Sequence, residues 1–358
     1  MSYFHIMKEV DYIIVGFGLA GMAFCDQLSR TKLRYVVIDG QRDAASRVAA
    51  GLINPVTLKR YTMPYKGEEQ FDLASRYFQR LAASYDKETF EILPVLKIFS
   101  SIEDQNNWFE ASDKPVLRRF LNEKLVKNTS EYVEAPLQLG EVNESLRIKI
   151  PQLLNAYIDS LKSKALYYSE NFDHSAITFN TDSTVTYKNF IAKRIVFAEG
   201  FGIKNNPFFN KLPLVGNKGE YLIIKAPDLN VSEALKVSFF IIPLGGDYYK
   251  VGATFNWKEK DTKPTTEARD ELQSKLEKVI TCAYTIEKQE AGMRPTTGDR
   301  RPLIGVHPKY PQLALLNGLG TRGTMMSPYL AQVLFDHLEN NIPLDDEVSI
   351  LRFPKKLV

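Results

Sequence analysis

Gly16, Gly18 and Gly21 stand in the spacing G-x-G-x-x-G, and Asp39 follows at the distance of an acid that accepts ribose hydroxyls. Each glycine has its own reason. The first makes a tight turn, the second lets backbone approach a pyrophosphate, and the third lets a helix pack on a strand. The chemistry is that of a dinucleotide site. A turn that merely packs a helix and holds nothing is the competing reading, and it leaves Asp39 unexplained. No acid–base dyad stands out elsewhere. His5, His174, His307 and His337 are scattered, and His307 and His337 are expected at the surface rather than in catalysis. Cys25 and Cys282 give neither metal-ligand spacing nor a disulfide framework, and both are expected to be small buried residues.

These residues need a strand, a turn, a helix and a second strand to position them. Tyr12 to Val15 is a continuous run of β-formers, the pattern of a parallel strand buried on both faces. Ala20, Ala23, Phe24 and Leu28 repeat at helical spacing, and the N-terminus of that helix presents N–H groups and a positive dipole end to phosphates. Tyr35 to Ile38 is the second strand. A small-residue loop with at most a short helix follows, then helices over 68–85 and 150–161, the latter started by Pro151. Residues 91–99, EILPVLKIF, read as a strand. Short strands are expected over 165–168, 176–179 and 184–187, and a buried one over 193–200 ends at a glycine. Residues 220–225, 239–243 and 248–254 read as antiparallel strands, with Gly245-Gly246-Asp247 as a hairpin turn. After an amphipathic helix over 267–280, the last strong helix is expected to take Ser327 as cap and Pro328 at its first position.

A chain of 358 residues is long for one core, so two domains, or one with a large insertion, are expected. Hydrophobic content of 44%, charged content of 25% and a net charge of +3 are ordinary for a globular protein and demand no nucleic-acid partner. The first ten residues lack the regions of a signal peptide, and no stretch approaches the roughly 18 apolar residues of a membrane span. A cytoplasmic protein without membrane insertion is the expectation.

Five blocks together resemble the D-amino-acid oxidase family of flavoproteins, in the branch of glycine oxidase, sarcosine oxidase and the oxidase domain of a bifunctional tRNA uridine-modifying enzyme. They are the N-terminal fingerprint, AASRVAAGLINP at 44–55, RIVFAEG at 194–200, AGMRPTTGDRRPLIG at 291–305 and NGLGTRGTMMSP at 317–328. The resemblance implies an α/β fold: a Rossmann-like FAD-binding domain (1–88, 145–215 and 291–358) with a discontinuous antiparallel-sheet substrate domain (89–144 and 216–290). It also implies FAD, bound without a covalent link because TRGTMMSP has no cysteine. Gly16, Gly18, Leu19, Ala20 and Gly21 would hold the pyrophosphate, and Asp39 with Gly40 the ribose. Ser46 and Arg47 would cover the phosphates, and Ala50, Gly51 and Leu52 would run beside the isoalloxazine. Gly200 ends the third strand, and Glu199 before it departs from the family's usual alanine or threonine. The loop Gly318, Gly320, Thr321, Arg322, Gly323 and Thr324 would oppose negative charge on reduced flavin.

Arg294 matches the family arginine that pairs with a substrate carboxylate, a role suited to a planar, permanently charged fork of donors. Arg322 either shares that acid or sits over the flavin. Tyr249, with Tyr248, either bonds the carboxylate or belongs to a core. Lys258 and Lys260 are weaker candidates for oxygen activation. The implied reaction oxidises the C–N bond of a small amino acid or N-substituted glycine by hydride transfer to flavin, the small amine or amino acid being the partner. The alternatives are a tRNA wobble-uridine carboxymethylaminomethyl oxidase and a flavin-binding protein without catalysis.

Overall fold

The structure is a computed structural model that describes residues 7–40 and 44–357. Outside them lie His5, most of the N-terminal segment read for a leader, and the first residues of the loop after Gly40. The chain divides into two compact units: 1–47, 151–217 and 294–358 form one, and 48–150 with 218–293 form the other.

The first unit is built on a sheet whose strands we label β1 (Lys8–Val15), β2 (Tyr35–Ile38), β3 (Tyr167–Tyr168), β4 (Phe190–Phe197), β5 (Leu303–Val306) and β6 (Leu313–Asn317). Their order is β5-β6-β4-β1-β2-β3. All neighbours from β6 to β3 are parallel, with Val15 opposite both Phe197 and Ile38, and only β5 runs antiparallel. A continuous apolar run suits such strands because helices or loops cover both faces. Ile13, Val36, Ile195 and Leu315 accordingly join one core with Phe197 and Phe209. The helices α1 (Leu19–Ser29) and α2 (Gly323–Asn340) belong to this unit too. Strands Val185–Tyr187 and Ile177–Phe179 extend the sheet off β4 as an antiparallel pair.

The second unit carries a seven-stranded sheet that includes Asn217–Lys225, Phe240–Gly245, Tyr248–Gly252 and Thr285–Arg294. Tyr248–Gly252 pairs antiparallel with both Asn217–Lys225 and Phe240–Gly245, and Ala234–Lys236 pairs antiparallel with Phe240–Gly245 but parallel with Val95–Lys97. Gly245 and Gly246 have positive φ, 100° and 57°, as the expected hairpin turn requires. A smaller sheet joins Leu52–Ile53, Leu146–Ile148 and Phe90–Ile92.

Three expectations need correction. The segment 91–99 is not one strand: Pro94 interrupts it, and Phe90–Ile92 and Val95–Lys97 enter different sheets. The last helix begins at Gly323, not beside Ser327, and Pro328 lies inside it. The first unit gives way to the second after Arg47, not at residue 88, because Gly51 and Ile53 pair with Ile148 and Leu146 there.

Candidate functional site

Within the first unit, β1, β2, β4 and β6 all point their carboxyl ends the same way, which places Gly16, Asp39, Gly200 and Gly318 along one edge of the sheet. Ligands of open parallel sheets lie at that edge. Gly16 has φ of 90°, and a Cβ there would come within 2.8 Å of the Ala198 carbonyl oxygen. A Cβ on Gly21 would sit 2.1 Å from the Gly16 carbonyl oxygen, so only glycine lets α1 start this close to β1. On Gly18 it would meet the Ser46 hydroxyl at 2.9 Å. No side chain of Gly18 caps α1; instead Ser46 Oγ accepts from the Leu19 N–H at 3.0 Å. Leu19 and Ala20 are buried behind it. Asp39 accepts from the Phe17 N–H at 3.2 Å and from the Tyr167 hydroxyl at 2.7 Å. A carboxylate has about four lone-pair sites, so these two bonds orient it and leave capacity for ribose hydroxyls. Gly40 is exposed beside Asn171, and Arg47 donates to Asn155 at 2.9 Å.

The C-terminal motifs meet this edge through one asparagine. Asn317 Nδ2 donates to the Gly200 carbonyl at 2.9 Å, and its Oδ1 accepts from the Gly318 N–H at 2.8 Å. Gly200, Gly318 and Gly320 all have positive φ. The Gly320 N–H donates to the Pro295 carbonyl at 3.1 Å, which ties the loop to the segment carrying Arg294. A Cβ on Gly323 would lie 3.4 Å from Leu19 Cδ1, so the loop reaches the start of α1. Thr321 is exposed and Thr324 buried.

Arg294 ends the strand Thr285–Arg294 with only 9% exposure, and its Nη1 donates to Asn217 Oδ1 at 2.8 Å. Burial pulls the Arg322 guanidinium down to about 10, which leaves it charged at neutral pH. Tyr249 lies inside the core of the second unit. Its hydroxyl accepts from the Val231 N–H at 3.2 Å, the burial and bonding of a core tyrosine. Tyr248 is 40% exposed.

A family described as FAD dependent oxidoreductase (DAO) matches residues 11–337. The chain belongs to this family. A glycine oxidase of Geobacillus kaustophilus is 22% identical, with 92% of this chain and 93% of that protein covered. The tRNA 5-methylaminomethyl-2-thiouridine biosynthesis bifunctional protein MnmC of Idiomarina loihiensis is 23% identical over 96% of this chain, which spans 59% of that protein's length. Among solved structures, a glycine oxidase from Geobacillus kaustophilus superposes with a TM-score of 0.78 at 19% identity, 98% of each chain covered. The iminodiacetate oxidase from Chelativorans sp. BNC1 gives 0.78 at 16% identity, covering 94% of this chain and 99% of the other.

FAD fits the edge on the structure's own terms. The Gly16 to Gly21 turn brings the start of α1 up against β1, and an oriented carboxylate with capacity to spare stands at the end of β2. Lys250 escapes sequence reasoning, and the structure also places the residues that such reasoning names without a settled role. Glu199 takes His174 Nε2 at 3.1 Å and the Asn206 amide at 2.8 Å, so it clamps the turn after β4. Buried Lys250 donates to the Val48 carbonyl at 2.7 Å and to Glu290 at 2.8 Å, while Lys258 is exposed and Lys260 bonds the Trp257 carbonyl. Gly51 is fixed by packing, since a Cβ there would meet the Ile148 carbonyl oxygen at 1.8 Å; Ala50 and Leu52 flank it half-buried. His307 is not a surface residue: it is 4% exposed, and its Nδ1 accepts from the Lys309 and Tyr310 N–H groups. His337 is half-buried and bonds the Ile342 carbonyl. Cys25 and Cys282 are both buried free thiols.

Proposed function

We propose that the chain oxidises the C–N bond of a small amino acid or an N-substituted glycine, with Arg294 anchoring the substrate carboxylate. The observation that carries this is a buried guanidinium at a strand end, one residue before the carbonyl that fastens the Gly320 loop. Glycine and iminodiacetate, the compounds in the relatives' names, both carry a carboxylate one carbon from the amine nitrogen. FAD, when bound, supplies a two-electron acceptor. The remaining work falls to the chain. Arg294 grips both carboxylate oxygens with a planar fork and so orients the carbon to be oxidised. Arg322 and the N-terminus of α2 favour negative charge nearby. FAD is held without a covalent bond, since 321–328 has no cysteine and both thiols lie buried.

An anaerobic screen of amino acids and N-methyl or N-carboxymethyl amines, read as loss of flavin absorbance, should find a carboxylate-bearing amine. With it, Arg294→Ala should raise KM by about 100-fold, as loss of a charged contact of roughly 3 kcal/mol implies, and leave flavin content unchanged. Unaltered kinetics in that variant would remove Arg294 from the role.

A second reading is favoured by the Idiomarina relative, whose similarity runs over 96% of this chain. In it the N-substituted glycine is a carboxymethylaminomethyl group on a tRNA wobble uridine, and the carboxylate contact is the same. Retention of tRNA by the protein at low salt, lost as salt rises, would favour this reading; indifference to tRNA would discard it.

A further inference from the structure

Asn217 opens the strand Asn217–Lys225 and is 1% exposed. Its oxygen accepts from Arg294 Nη1 at 2.8 Å. Arginine has donors only, so this contact fixes which way the amide faces: oxygen toward the guanidinium, NH2 on the other side of the same plane. That nitrogen has no hydrogen-bond partner within the described structure. The backbone cannot swing to find one. The Val215 and Gly216 N–H groups both reach the Thr296 carbonyl, at 2.8 and 3.3 Å, and lock this segment to the one that carries Arg294. A buried donor without an acceptor is destabilising, and native structures keep such atoms where a ligand or an ordered water completes them.

We infer that Asn217 is a second donor to the anion that Arg294 holds, its Nδ2 giving a hydrogen bond to an oxygen of the substrate carboxylate. The inference rests on the anchoring role proposed for Arg294. One carboxylate can satisfy both residues, because its two oxygens accept several bonds at once. The pair then does two jobs. Arg294 selects for negative charge, and Asn217 selects for an acceptor at a fixed angle to it, which makes the site reject a group with no acceptor there more strongly than charge alone would.

The test uses holoenzyme titrated with acetate, and with acetamide as the neutral probe, read by perturbation of the flavin spectrum. Side-chain amide 15N resonances are followed in parallel, that of Asn217 being assigned by its absence in Asn217→Leu. Wild-type protein should bind acetate with a shift of the Asn217 amide pair. Asn217→Leu should bind acetate about tenfold more weakly with its flavin content intact, and Arg294→Ala should lose acetate binding. If Arg294→Ala binds acetate like wild type, the anchoring role falls and this inference with it. If Arg294→Ala loses binding while Asn217→Leu keeps wild-type affinity, or while the Asn217 amide stays unmoved, the anchor stands and the second donor is overturned. An Asn217 amide bonded only to water gives that same unmoved resonance.

Discussion

At the scale of the residue, two glycines in the first unit are needed for different reasons, and substitution separates them. Gly21 is needed for space: a methyl group would press on the Gly16 carbonyl at 2.1 Å, and backbone cannot yield as a side chain can. Gly200 is needed for conformation, with φ of 55° and open space around it. Gly21→Ala should therefore purify with far less than wild-type flavin per protein, while Gly200→Ala should keep its flavin and lose only about 1–2 kcal/mol of stability. Absorbance ratios and thermal melting distinguish the two, and equal flavin loss in both would refute the distinction. His307 offers a pH test. Burial holds its imidazole below the usual 6.5. In the interval just below that value the unfolded chain takes up a proton that the native chain refuses, so this contribution is whole above about 6.5 and lost as pH falls below it. Melting temperature should drop between pH 7 and 5, and drop less steeply in His307→Asn, whose side-chain oxygen can take the same N–H groups. The fingerprint was legible because glycine spacing has a direct steric meaning. Asn217 was not, because its partner lies 77 positions away and an asparagine before a lysine carries no signal of its own.

At the scale of the element, the strands around the fingerprint were legible because buried parallel strands leave a continuous apolar run. Where proline intervened, local rules misled. Ser327-Pro328 has the form of a helix start, yet the four residues Gly323 to Met326 already turn helical, and Pro328 forgoes one bond to the preceding turn. Pro94 splits an apolar run between two sheets. The start of strand Asn217–Lys225 also holds Lys218, wholly buried, with Glu259 at 2.6 Å, Asp261 at 2.9 Å and buried Glu220 at 3.6 Å. Glu220 in turn takes the Thr265 N–H and hydroxyl, so one ammonium fastens the segment 256–265 to the sheet. Lys218→Met should lower unfolding free energy by roughly 3 kcal/mol, because it strands a buried carboxylate. It should also open 256–265 to hydrogen exchange before the rest of the second unit. Uniform exchange across that unit would show that the lysine does not fasten the segment.

At the scale of the whole molecule, the chain passes between its two units four times. The first crossing falls after Arg47, about forty residues before the boundary expected at 88. The helix Gly67–Tyr85 has the same amphipathic pattern in either unit, and only the pairing of Leu52–Ile53 with Leu146–Ile148 assigns its neighbourhood. The first unit is closed by β6, which lies between β5 and β4 in the sheet although it is the last strand to be made among the described residues. A nascent chain lacking β6 has a gap in the sheet next to β4, and it lacks the asparagine that joins Gly200 to Gly318. The ribosome must therefore deliver the chain through Asn317 before the N-terminal glycines acquire their final surroundings. Cofactor loading should accordingly wait on the making of β6 rather than accompany the growth of the N-terminal segment.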